Sequence, residues 1–301
     1  MKIVEAPYTL LDRGHNEWRF SESSAMATAT EVFDSILEKN NGYHGGWSSR
    51  LAGALRKFLQ KHPDHIDALH HYASCLLHDD QDVEALAFSH TAVATGMRFF
   101  PRQFTIGKDR LPTGYIQNRP FIRAVHGLML AQRNLSLINE AISTAEMCLS
   151  LDEEDRMGAR ESLAIYLLES NRNRNAIELF EKPLYKENFR GAQYLFPLAL
   201  VRIGENEKAR KSLAHCLYYY PQVARFILNR ALPQPEGDSR FGATWGSELE
   251  GWIYARQFGA FWRADRKAMT ILQEESVPYV NRGWQRDPNT KAPASTSRNG
   301  A

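Results

Sequence analysis

GARESLAIYLLESNRNRNAIELFEKP, residues 158–183, decides how the chain folds. Leu163, Ala164 and Leu167 fall on one helical stripe and Ala176, Leu179 and Phe180 on a second, with a polar turn between. Two amphipathic helices joined this way cannot bury their apolar faces alone. They need a neighbouring pair on which to stack.

The neighbours are present. YLFPLALVRIGENEKARKSLAHCLYYYP, residues 194–221, repeats the design, with Gly204 in the turn, Ala209 opening the second helix and Pro221 ending it. Ala209 follows Ala176 by 33 residues, and Ala141, in NLSLINEAISTAEMCLSLD, precedes Ala176 by 35. Where two helices cross closely only a small side chain fits, so alanine recurs there while large apolar groups surround it. An earlier copy, residues 66–97, carries Leu69, Tyr72, Ala73 and Leu76 on one helix and Ala85 and Ala92 on the next. It follows LRKFLQKHPDH, which reads as a preceding helix ended by Pro63.

From Ala85 to Ala141 the spacing stretches to 56 residues, and the excess lies in FFPRQFTIGKDRLPTGYIQNRP. Its prolines and glycines read as an inserted loop, a kind of segment that is often functional. After Pro221 the pattern changes. SELEGWIYARQFGAFWRADRKAMTILQEE reads as one long helix, whose Trp252, Phe258, Phe261 and Trp262 suit a terminal cap over the last apolar face. The expected organisation is an N-terminal extension over 1–46, first repeats over 47–98, the insertion over 99–120, further repeats over 121–233, a capping region over 234–280 and a disordered tail over 281–301.

The small turn residues Ala85, Ala141, Ala176, Ala209 and Gly204, with Pro63 and Pro221, resemble the tetratricopeptide repeat in degenerate form. The stretch from Pro221 to Leu272 is faintly similar to suppressor-of-tumorigenicity-type repeat proteins. The resemblance implies an all-α fold, a right-handed α-solenoid of tetratricopeptide-like helix pairs with a C-terminal helical cap. It also implies a concave groove, lined by the first helices of each pair, that holds an extended peptide or partner helix. Carried onto this sequence, that groove includes His70, Arg123, His126, Arg133, Tyr194 and Arg202. The lysine and asparagine set with which some members hold a terminal carboxylate is absent, since Arg123, His126, Gly127 and Leu130 stand at those positions.

Composition narrows the function. With 43% apolar and 24% charged residues the chain can bury a sizeable core. Its net charge of +2 provides no global field for nucleic acid or an anionic membrane. No stripe of positive charge emerges, although aromatic and basic residues interleave in YYYPQVARFILNR, so nucleic acid is not the expected partner. No export signal or membrane span is read. Cys75, Cys148 and Cys216 lie far apart with no CxxC, which suits a reducing compartment and a cytoplasmic protein.

Chemistry is sparse. His71, Cys75 and His78 fall on one helical face at steps of four and three, a spacing able to reach a single zinc ion. The competing reading places the histidines on a groove face and the thiol in the core. GxSxG, HExxH and phosphate-loop patterns are missing, so no enzyme and no cofactor are expected. Arg119 and Arg123 stand one turn apart at a helix start where Pro120 is tolerated, and two guanidiniums there are able to grip one carboxylate or phosphate. The alternative is that they pair with acids of a neighbouring repeat. The expected function is a cytoplasmic scaffold whose groove binds a protein or peptide. Arg119, Arg123, His126 and Arg133 would fix an acidic ligand, with Tyr115 and Phe121 as apolar anchors. The alternatives are a zinc-dependent enzyme and a nucleic-acid-binding repeat protein.

Overall fold

A computed structural model describes residues 5–44, 46–182, 190–237, 243–244 and 246–285. The chain divides into two compact units, Met1–Tyr166 and Leu167–Ala301. Both are built mainly of helices.

The first unit opens with a feature that corrects the all-α expectation. Strands β1 (Tyr8–Gly14) and β2 (Glu17–Glu22) pair antiparallel, with Leu10 opposite Phe20 and Leu11 opposite Arg19. His15 and Asn16 both take left-handed backbone at the turn, at φ 53° and 61°, as a two-residue hairpin with the strands' own twist requires. The alternation of Tyr8, Leu10, Trp18 and Phe20, all buried, against exposed Thr9 and half-buried Leu11 and Arg19 is the period of two that was not read in the N-terminal extension. Helices α1 (Ser24–Lys39), α2 (Ser49–Leu59), α3 (Ile66–His78), α4 (Asp82–Met97), α5 (Arg119–Asn134) and α6 (Ile138–Leu151) follow. Each of them packs on its chain neighbour, and α3 also packs on α5. The division between the units falls within α7 (Ala159–Glu169).

The second unit holds α8 (Asn173–Glu181), α9 (Arg190–Arg202), α10 (Asn206–Tyr219), α11 (Pro221–Leu228), α12 (Glu248–Arg263) and α13 (Arg266–Val280). The single long C-terminal helix expected from sequence is two. Asp265 breaks it, leaving the helical region of backbone space and accepting the Ala268 N–H as N-cap of α13. Phe258 and Trp262 are buried, while Trp252 and Phe261 remain half-buried. The tail beyond Gln285 lies outside the described residues.

One turn recurs through the helix pairs. Ala85, Ala141, Ala176 and Ala209 are each 0% exposed, and each stands three residues into the second helix of its pair. Five residues before each alanine the backbone is left-handed, at Asp80, Ser136, Asn171 and Gly204, with φ of 56°, 60°, 58° and 90°. The following N–H reaches back to a first-helix carbonyl in every case: Gln81 to Leu76, Leu137 to Gln132, Arg172 to Leu167 and Glu205 to Leu200, at 2.9, 2.9, 2.8 and 2.9 Å. This is the helix C-terminal motif in which one left-handed residue lets the chain satisfy orphan carbonyls and reverse. Only Gly204 adopts that conformation without steric cost.

Candidate functional site

Of the predicted site residues of the first unit, His70, Arg123 and His126 lie together where α3 meets α5. Gly127 permits the close approach, since a Cβ there would stand 2.8 Å from His70 Nδ1. Asp67, at the start of α3, is buried and receives a two-pronged contact from Arg123, with Nε to Oδ1 at 3.1 Å and Nη2 to Oδ2 at 2.5 Å. The planar fork of arginine matches a carboxylate in this way. His71 Nδ1 lies 3.3 Å from Asp67 Oδ1 and 2.9 Å from the Asp67 carbonyl. Burial would raise the Asp67 carboxyl, but the His71 ring and the Arg123 guanidinium outweigh it and hold the group well below the usual carboxylate range. Arg123 thus pairs with an acid on a neighbouring helix, Asp67.

Two histidines beside this pair are lowered by burial. Burial, helped by the His71 ring, pushes His70 down to about 3, and burial also lowers His126. His65 extends the layer. Its Nδ1 accepts the Ala68 N–H at 3.1 Å as N-cap of α3, which leaves Nε2 to donate to Thr30 Oγ1 at 3.2 Å. Thr30 in turn donates to Glu22 Oε1 at 3.0 Å. Burial lowers His65 to about 4, consistent with a ring nitrogen that must stay unprotonated to cap the helix. The Tyr8 hydroxyl accepts the Ile66 N–H at 3.2 Å and ties the hairpin to the same helix start.

The insertion is a wall of this unit. Phe99, Phe100 and Phe104 pack with Tyr8, Trp18 and Phe20, and Phe121 joins them with its centroid 5.5 Å from Phe20 and 5.3 Å from Phe100. Phe121, offered by sequence as a surface anchor, is 1% exposed and belongs to the core. Asn118, fully buried, donates to the Trp18 and Pro112 carbonyls and accepts the Phe20 N–H. Asp152 takes both the N–H and the hydroxyl of Thr113, whose carbonyl accepts Arg119 Nε at 3.0 Å. The Tyr115 hydroxyl donates to Glu17 at 3.3 Å. Arg133 lies exposed near the end of α5.

Two predicted groove residues, Tyr194 and Arg202, belong to the second unit. Tyr194 is buried against Tyr254 and Trp262, and its hydroxyl donates to the Tyr220 carbonyl at 3.1 Å. Arg202 donates to the Leu168 and Phe261 carbonyls, both at 3.2 Å. It fastens the helix pairs of that unit to the cap.

The zinc candidates do not converge. His71 turns to Asp67, His78 is exposed, and Cys75 is buried, with burial raising its thiol to about 11. Among the described residues no group of three His, Cys, Asp or Glu could hold a metal ion, and no helix is long and apolar enough to cross a membrane. Sequence reasoning missed His65, Thr30, Tyr8 and Asn118. Histidine lies outside the usual N-cap set, and Asn118 meets its partners across 98 and 100 residues of chain.

Comparison with known proteins decides the family. The family described as Transcriptional repressor TCF25 matches residues 47–299. The chain belongs to the transcriptional repressor TCF25 family. The "Probable transcription factor claV" of Ampulloclitocybe clavipes is 28% identical over 126 residues, which cover 41% of this chain and 16% of that protein. The chain therefore matches only a small part of this curated relative. The TCF25 family membership overturns the reading of a cytoplasmic peptide-binding scaffold, because the family and the relative are both described as regulators of transcription. The scaffold was what the repeat resemblance implied, and the cytoplasmic address rested on the missing export signal and the cysteine placement. Neither reports on a nuclear address, since the nucleus is also a reducing compartment.

Proposed function

We propose that this chain is the helical part of a nuclear repressor of transcription and that its role is non-catalytic. The match of the TCF25 family over residues 47–299 carries the reading, because it takes in every described helix from α2 onward. In this reading the helix pairs within each unit stack as tetratricopeptide-like repeats, a finer statement supported by the four matching turns at Asp80, Ser136, Asn171 and Gly204. With a net charge of +2, any affinity for DNA would come from local groups rather than from a bulk field.

A tethering experiment tests the proposal. The chain is fused to a DNA-binding domain of known specificity, and the output of a reporter carrying the cognate sites is measured. Reporter output is expected to fall several-fold relative to the DNA-binding domain alone. Unchanged output, with the fusion shown by crosslinking to occupy its sites, would refute repression by this chain.

A further inference from the structure

In the second unit, cations gather where α11, α12 and the start of α13 meet. Trp252, Arg256, Gly259 and Arg263 are spaced by four, three and four residues along α12, so they share one face. The Arg256 guanidinium lies over the Trp252 ring, 4.9 Å from its centroid, which steadies the side chain without neutralising its charge. Gly259 leaves room for the Arg263 guanidinium to lie against the helix, since a Cβ there would stand 2.6 Å from Nη1. Seated in this way, Arg263 donates to the Ile227 carbonyl at the end of α11, at 3.2 Å. Burial lowers this guanidinium, and the nearby charge of exposed Arg230 lowers it further. Arg266 and Lys267, both exposed, then fill the first turn of α13, where the helix dipole is already positive.

The acids nearby do not offset this charge. Glu248, on the same face of α12, pairs with Arg225 at 2.5 Å, and Asp265, the N-cap of α13, lies 3.9 Å from Arg202. Glu250 is buried on the opposite side of α12 and accepts the Gly246 N–H. Among the described residues that join α11 to α12, Glu236 is the one acid. Arg230, Arg256, Arg263, Arg266 and Lys267 have no acid partner among the described residues. Five cations so placed repel one another, and a polyanion relieves the repulsion. Arg256 and Arg263 stand two turns apart, about 10 Å along a rigid helix. That is about three steps of the 3.4 Å rise between phosphates on one strand of a duplex. A duplex holds its phosphates at fixed intervals, so guanidiniums held in place meet several of them at once. We propose that this corner of the second unit contacts the phosphate backbone of duplex DNA, through Arg230, Arg256, Arg263 and Arg266, without reading the bases. The choice of DNA over RNA rests on the transcriptional reading.

The test titrates the full chain onto a fluorescently labelled DNA duplex of about 20 base pairs and mixed sequence, read by anisotropy from about 50 to 200 mM salt. Four phosphate contacts are expected to give a slope of about −3 to −4 in log affinity against log salt. Arg230→Gln/Arg256→Gln should reduce the size of that slope by about two and weaken binding about tenfold or more. Arg174→Gln/Lys211→Gln removes the same charge from exposed positions elsewhere in the second unit and should leave the slope unchanged. Thermal melts check that both variants fold. Equal loss in the two variants, or no binding at the lowest salt, would overturn the proposal. So would tighter binding of an RNA duplex of the same sequence, or competition by polyglutamate as effective per charge as unlabelled DNA, which would assign the patch to acidic protein. The tethering experiment supplies its own DNA-binding domain. Repression there without binding here would sink this inference and leave the transcriptional reading standing.

Discussion

The helix pairs and the hairpin with its insertion are held together in opposite ways. In the pairs, the deciding contacts are local: a left-handed residue, a carbonyl satisfied five residues back, and a buried alanine a few residues later, repeated at Asp80, Ser136, Asn171 and Gly204. Around the hairpin they are remote. Phe20 meets Phe121, Trp18 meets Asp109, and Asn118 bridges to the strand from 98 to 100 residues away. Local devices repeat and tolerate individual loss, whereas a remote, interlocked layer depends on each member. Substitutions should therefore cost more in the second region than in the first.

The largest effect is expected at Phe121. Phe121→Ala removes a fully buried ring from the aromatic layer and should lower unfolding free energy by about 4 kcal/mol, read as a shift in urea midpoint. Next comes acid. His65 is lowered from 6.5 to about 4 in the folded chain, so the unfolded chain takes up its proton first. Stability is then full above about pH 6.5 and falls as pH drops from there toward about 4, by about 3 kcal/mol. The depressed Asp67 carboxyl adds a further loss below its ordinary value of 3.8. His65→Asn keeps an N-cap acceptor without a titrating ring, so urea midpoints should fall less steeply across that window, with the fall due to the likewise lowered His70 remaining.

Two smaller substitutions sharpen the comparison. Asn118→Ala leaves the Phe20 N–H and the Trp18 carbonyl without their partner and should cost about 2 kcal/mol by thermal melting. Gly204→Ala forces a Cβ into left-handed backbone at a single turn and should cost only about 1 kcal/mol. If Gly204→Ala proved as damaging as Asn118→Ala in the same melts, the contrast between local and remote devices would fail.

The same contrast explains what could be read beforehand. Ala176 and Ala209 announce a helix pair because a periodic pattern and its turn lie within one window of sequence. The break at Asp265 was a local signal as well, and was passed over because the apolar period runs on through Ala268 and Leu272. The hairpin was hidden for a different reason. Tyr8, Leu10, Trp18 and Phe20 gain their meaning only from Phe99, Phe100 and Phe104, about eighty residues on, and an insertion rich in proline and glycine gives no sign of what it will cover. The site suffered in the same way. His70, Arg123 and His126 were read as lining a groove, and the acid that meets Arg123 was visible only once α3 and α5 were packed. Function was not legible at all. The residues that can be read are packing positions, and packing positions do not carry an address or a partner.

Chromatin occupancy in cells that express the chain naturally bears most directly on the role in transcription. DNA crosslinked to the tagged chain would be sequenced, and the transcripts of the same cells compared before and after its depletion. Enrichment at discrete promoters, with transcription rising from those promoters on depletion, is the expected result. No enrichment over untagged cells, with those transcripts unchanged, would contradict the assignment of this chain to transcriptional repression.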